Sequence, residues 1–112
     1  MHAHRQQWDV WRVLQGSMSV LLVDHLTGRI ESLRLDNTKT IAIPPGISHG
    51  FYTKEGVLLE YALTVEYTGT DEFEWNAYSG PPRPSDWPSS EWVIRSERDR
   101  LAPSFSEFVR KW

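Results

Sequence analysis

Polar and apolar residues alternate with a period of two through much of the first 67 residues. That is the spacing at which successive side chains of a strand point to opposite faces. Asp9–Gln15 (DVWRVLQ) reads as a strand that ends at Gly16, and Met18–Asp24 (MSVLLVD) follows directly. Leu26-Thr27-Gly28 reads as a hairpin loop, with Arg29–Leu35 (RIESLRL) as the returning strand. Thr40–Ile43 is a short strand stopped by Pro44-Pro45-Gly46. The clearest alternation runs over Val57–Tyr67, with Val57, Leu59, Tyr61, Leu63, Val65 and Tyr67 on one face and Glu60, Thr64 and Glu66 on the other. Many short strands with turns at close spacing predict an all-β sandwich or barrel.

After Tyr67 the pattern changes. Residues 68–103 are rich in Pro, Ser, Gly and Trp and read as an irregular wrapping segment held by aromatic anchors. Residues 104–112 read as a short C-terminal helix: Ser104 is the cap, Glu107 completes a capping box, and Phe105, Phe108 and Trp112 share an apolar face. The whole of 1–112 is expected to form a single domain, since 112 residues bury one core.

Composition narrows the function classes. The formal net charge is −3, so there is no basic surplus to neutralise a phosphate backbone and nucleic acid is not an expected partner. Cysteine is absent, which removes disulfides, thiolate metal sites and cysteine nucleophiles. The N-terminal MHAHRQQWDV has no apolar signal core, and no stretch approaches the ~20 apolar residues of a membrane helix. The expectation is a soluble cytoplasmic protein with no membrane partner. Six tryptophans, at 8, 11, 75, 87, 92 and 112, are many for this length. They suit core and subunit-interface packing, or a stacking wall for a sugar or a base.

Two constellations carry candidate chemistry. His2-Ala3-His4 places two imidazoles on one side of an extended segment, and Asp9 joins them if the chain bends at Arg5–Trp8; Gly16 follows. Pro44-x-Gly46-x-x-His49 is a tight turn that delivers His49 at the start of the next strand. His25, in the hairpin region, reads as a packed or surface residue. The spacing of His2, His4, Asp9 and Gly16 resembles the first motif of the cupin superfamily, with Asp where Glu is usual, and Pro44–His49 resembles the second. The implied fold is a double-stranded β-helix, or jelly-roll barrel, with the short helix appended. In metal-binding cupins such a set holds one divalent ion, so His2, His4, Asp9 and His49 are candidate ligands for Fe(II), Mn(II), Ni(II) or Zn(II) acting on a small oxygenated substrate.

A second resemblance covers nearly the whole chain. DVWRVLQGSMSVLLVD, IPPGISHGF, EYALTVEYTGTDEFEWN and SERDRLAPSFSEF occur in the order of matching segments of the dTDP-4-dehydrorhamnose 3,5-epimerase family. These are cupins that move protons on a nucleotide-linked ketosugar without metal. The resemblance implies His2 as the catalytic base, Asp99 as its acidic partner, Tyr67 as the acid that reprotonates the opposite face, and His49 as a second pocket histidine. It places Arg12 near substrate phosphate, with Trp11 beside it as a further substrate-binding candidate. HAHRQQ also resembles the first motif of sugar-nucleotide 3,4-ketoisomerases, which makes His4 a catalytic candidate too. The sequence departs from the epimerase pattern at Asp9, where the family has a lysine that would stabilise an enolate oxygen. The family's Arg-Gly before the catalytic histidine has no counterpart ahead of His2. A dTDP-sugar substrate and a homodimer, in which a partner sheet completes the barrel, are the implied partners. A non-catalytic sugar-binding cupin is the third reading.

Overall fold

The computed structural model describes residues 1–64 and 69–112. Among the described residues, eight strands and two helices follow in order: β1 (His2–Ala3), β2 (Asp9–Gly16), β3 (Met18–Asp24), β4 (Arg29–Leu35), β5 (Thr40–Ile43), β6 (Ile47–Tyr52), β7 (Val57–Leu63), β8 (Phe73–Glu74), α1 (Glu97–Leu101) and α2 (Phe105–Lys111). The strands make a five-stranded sheet, β4-β3-β6-β1-β8, and a three-stranded sheet, β5-β2-β7. The strand pairs are antiparallel. The expected boundaries of β3, β4 and β5 are met; β7 is described to Leu63, and Val65 and Tyr67 of the anticipated longer strand lie outside the described residues.

One core lies between the sheets. Trp11 and Val13 of β2, Met18 and Val20 of β3, Leu35 of β4 and Ile43 of β5 meet there. A second core covers the opposite face of the larger sheet. There Leu21 and Val23 pack with Ala3, Trp75, Ala77 and Phe108. Because β3 is buried on both faces, its sequence MSVLLVD is a nearly continuous apolar run. Each such side chain taken from water contributes roughly 1.5–3 kcal/mol.

The outer core is closed by α2. Ser104 accepts from the Glu107 N–H, and Glu107 reaches back to the Ser104 N–H, which is the anticipated capping box. Phe105 and Phe108 lie on Trp75, with ring centroids 4.7 and 6.3 Å from it. His25 packs edge-on to Phe108 and Trp112. The wrapping segment also holds α1, which the sequence reading did not anticipate. Its signal is Ser96-x-x-Asp99: Ser96 caps the helix by accepting from the Asp99 N–H. Among the described residues no helix is long and apolar enough to cross a membrane.

Two glycines fix turns that the site depends on. Gly16 has φ +85°, and a Cβ there would stand 2.5 Å from the Gly56 carbonyl oxygen. Gly46 has φ +86°, and its N–H donates to the His4 carbonyl at 2.8 Å. That bond ties the turn before His49 to the segment bearing His2 and His4.

Candidate active site

A cleft of about 940 Å³ is lined by residues of β1, β2, β6 and β7 and of the wrapping segment. His2, His4, Asp9, His49 and Asp99 line it together with Trp11, Phe51, Tyr61, Tyr78 and Trp92. Three segments deliver the polar groups. His2 lies on β1, directly opposite His49 of β6 in the antiparallel register. The chain then bends through Arg5–Gln7, where the Asp71 carboxylate accepts all three backbone N–H groups at 2.7, 2.9 and 3.2 Å. Burial alone would raise the Asp71 carboxyl, but these three bonds hold it below the usual range. The bend turns Asp9 back toward His4 and His49.

The polar residues form two groups. In the first, His2 Nε2 lies 2.9 Å from Asp99 Oδ1. The His2 Nδ1 stands 3.8 Å from Glu72. The pair is reachable from solvent: the side chains are 28% and 36% exposed. Burial shifts the His2 imidazole downward, helped by the chain's amino-terminal charge, against the opposite pull of Asp99. Asp99 is held below the usual carboxylate range; its partial burial works against this, but the Ser96 hydroxyl and His2 outweigh it. Ser96 Oγ lies 2.9 Å from Asp99 Oδ2, so the helix cap also orients the carboxylate.

The second group is more deeply buried. Asp9 Oδ2 is 3.3 Å from His49 Nε2, and Asp9 Oδ1 is 3.8 Å from His4 Nε2. Gln7 Nε2 donates to Asp9 Oδ1 at 2.6 Å. The remaining ring nitrogens bond to main-chain carbonyls: His4 Nδ1 to Asp71 at 2.6 Å, and His49 Nδ1 to Ile47 at 3.0 Å. Desolvation pushes the Asp9 carboxyl up, yet bonds from His49 and Gln7 and the nearby imidazoles bring it below its ordinary value.

The sequence candidates therefore separate. Ligand atoms of His4, Asp9 and His49 lie within 4.8 Å of one another; His2 stands outside this group, engaged by Asp99. The expected four-residue set of His2, His4, Asp9 and His49 is thus a set of three. Trp11 lines the cleft, edge-on to His49 at 5.3 Å, but is itself buried in the core. Arg12 is placed on the other face of β2, exposed and 3.8 Å from Glu60. The reason is the strand period: Trp11 points inward, so its neighbour cannot. Arg12 does not line the cleft. Tyr67 lies outside the described residues. The sequence reading missed Gln7 and Asp71. Gln7 stood in the HAHRQQ segment without a role of its own, and Asp71 gave only its place in an acidic loop.

Residues 1–107 match the family model for dTDP-4-dehydrorhamnose 3,5-epimerase. The chain belongs to that family. Among solved structures it resembles the dTDP-4-dehydrorhamnose 3,5-epimerase from Sulfolobus tokodaii, with TM-score 0.77 and 27% identity over 95% of this chain and 63% of that one. It also resembles ChmJ, a 3′-monoepimerase from Streptomyces bikiniensis in complex with dTDP-quinovose; the TM-score is 0.77 and the identity 21%, over 98% of this chain and 61% of that one. The chain thus spans somewhat over three fifths of the length of these proteins. No curated protein matches it significantly. The expected fold class, a cupin jelly roll with a short C-terminal helix, is the one observed in this dTDP-sugar epimerase family member.

Proposed function

We propose that the protein acts on a nucleotide-linked 4-ketosugar, removing a proton from a carbon beside the ketone, with His2 as base and Asp99 as its partner. The observation that supports this most is the 2.9 Å contact between His2 Nε2 and Asp99 Oδ1 at the accessible edge of the cleft. A carboxylate accepts only, so the hydrogen of the neutral ring resides on Nε2 and the Nδ1 lone pair is left for the substrate. The C–H bond breaks, its proton moves to Nδ1, and the electron pair enters the enolate. The resulting imidazolium is stabilised by Asp99. Tyr67 is the family's candidate for returning a proton from the opposite face. Trp92, which lines the cleft and is 80% exposed, offers a face on which a sugar or base can stack.

Proton removal of this kind needs no cofactor. It does need a positive or hydrogen-donating group at the enolate oxygen, and the Asp9 carboxylate is not one. The working form in this proposal is a homodimer with a dTDP-sugar as substrate; exposed Ile94 and Leu101 supply apolar surface for a second copy. The four-ligand metallocupin reading is weakened, because His2 is engaged by Asp99.

The test is incubation with a dTDP-4-ketosugar in D₂O, followed by mass and NMR analysis. Deuterium entering at a carbon flanking the ketone is the expected result. No uptake at saturating sugar, with binding intact, would leave a non-catalytic sugar-binding cupin as the function.

A further inference from the structure

His25 does not line the cleft, and the proton-transfer chemistry above does not use it. It follows β3 in the loop before β4, and its ring lies against the end of α2. It meets Phe108 edge-on at 5.0 Å and Trp112 edge-on at 4.8 Å. Among the described residues, neither of its buried ring nitrogens has a hydrogen-bond partner. A neutral ring there leaves one donor and one acceptor unmet; a protonated ring leaves two donors and a charge. Aromatic rings can accommodate a cation, but here another cation already holds that place. The Arg5 guanidinium lies 5.3 Å from the centroid of the Trp112 ring and 4.5 Å from that of Phe73. It also donates to the main-chain oxygens of Lys111 and Trp112, where a helix end attracts positive charge. Arg110 and Lys111 add two more cations to the same turn, while Glu107 sits in the first turn, bonded to Ser104. Asp24 favours a charged His25, and its carboxylate accepts from the Leu26 and Thr27 N–H groups. Burial is the larger influence and holds the His25 imidazole below its ordinary value of 6.5, against the pull of Asp24.

We propose that His25 is an acid-sensitive latch on α2: the neutral ring seats the last turn of the helix, and the protonated ring releases that turn together with Arg5. Protonation sets two cations on the one Trp112 ring and leaves two N–H groups without acceptors. The released turn carries away the Lys111 and Trp112 oxygens that hold Arg5. Arg5 opens the bend Arg5–Gln7, whose N–H groups rest on the Asp71 carboxylate. His4 and Asp9 flank that bend in the sequence. Phe108 of the same helix covers Trp75, whose main chain exchanges hydrogen bonds with Met1, next to His2. Acidification therefore loosens the segment that carries His2 and His4. The released His25 titrates near 6.5 and the seated one lower. The seated state is thus fully favoured above 6.5 and loses ground as the pH falls toward the seated value. One proton shifts this equilibrium by at most about tenfold per pH unit.

Amide hydrogen exchange of the full-length protein tests the latch, read by NMR at about pH 7.5 and about pH 5.5 and corrected for the intrinsic rate. In the parent, the amides of Phe108–Trp112 and of Arg5–Gln7 are expected to lose protection together at the lower pH, by about three- to tenfold. In His25→Phe, whose ring fills the same space without titrating, both sets change by less than about twofold. That variant keeps the three cleft histidines, so it separates their titration from that of His25. The ring protons of His25 in the parent should titrate with a midpoint below 6.5. Should His25→Phe fail to fold, that midpoint and the parent's exchange decide. Protection in the parent that is the same at both pH values would overturn the latch. So would an equal loss in His25→Phe. A His25 midpoint at or above 6.5 would do so too, since the aromatic rings would then hold the charged form. No sugar is present in these experiments, so the latch and the epimerase proposal can fail independently.

Discussion

His2–Asp99 and His4–Asp9–His49 are both histidine–carboxylate arrangements in one cleft, yet their surroundings differ. The His2–Asp99 pair is about one-third exposed; the side chains of the cluster are 6–9% exposed. His2 makes its short contact with a carboxylate and keeps its other nitrogen 3.8 Å from Glu72. His4 and His49 make theirs with main-chain carbonyls and turn the other nitrogen toward a shared acid. The difference teaches that residue type alone does not assign a role. The reachable imidazole has a carboxylate partner and a free side toward the cleft; the two buried imidazoles are locked by carbonyls around one acid.

The comparison breaks most readily at Asp99. Asp99→Asn replaces an acceptor-only carboxylate with an amide that can also donate, so the His2 tautomer is no longer fixed and the imidazolium loses its counter-charge; deuterium exchange into the ketosugar is expected to fall by a factor on the order of 10²–10⁴. An exchange rate equal to the parent's would leave Asp99 without a part in positioning His2.

The pH profile sharpens it next. Burial holds the His2 imidazole below its ordinary value of 6.5, so the acid limb of exchange should have its midpoint below that value. Asp99 opposes this shift, so its removal in Asp99→Asn should move the limb to still lower pH. A role for Asp99 confined to folding would leave the limb in place. Stability has the same sign of dependence through the carboxylates. Asp9 and Asp99 both have folded values below the ordinary 3.8, so their contribution is present above that pH and is lost as pH falls through the folded values. Acid melts of Asp9→Asn should show a weaker loss.

Smaller effects bear on the buried group. Gln7→Ala leaves the buried Asp9 carboxylate one donor short, and a loss of about 1–3 kcal/mol in urea unfolding is expected. The smallest effect is at Arg12. It is exposed, on the outer face of β2, and its Glu60 contact is a surface pair. Arg12→Ala should change the exchange rate by less than about twofold and stability by under ~0.5 kcal/mol. A tenfold rise in KM would return Arg12 to the substrate.

Much of the fold was legible because period-two alternation survives wherever one face of a strand is exposed. β4 and β5 show it, and their limits were read correctly. β3 was found by its apolar run and its bounding turns. β1 and β8 have two residues each, too short for any period to register. α1 was hidden inside a proline-rich segment despite its capping signal. The site was legible in its ingredients and not in their grouping. His2 and His4 are two residues apart, and strand geometry predicts that they share a point. The chain leaves the strand after Ala3, so His4 turns toward Asp9 while His2 stays with the late-sequence Asp99. A contact spanning 97 positions leaves no local pattern, and only the family resemblance pointed to it. Arg12 shows the converse: the resemblance placed it near substrate phosphate, whereas the alternation about Trp11 puts it on the outer face, beside Glu60.

The most direct test of the division between the two groups is the exchange rate of His2→Gln, measured beside the parent at saturating ketosugar in D₂O. The account predicts a loss of at least about 10²-fold, with the protein folded. Exchange within threefold of the parent would contradict it, and would move the base to another residue of the cleft.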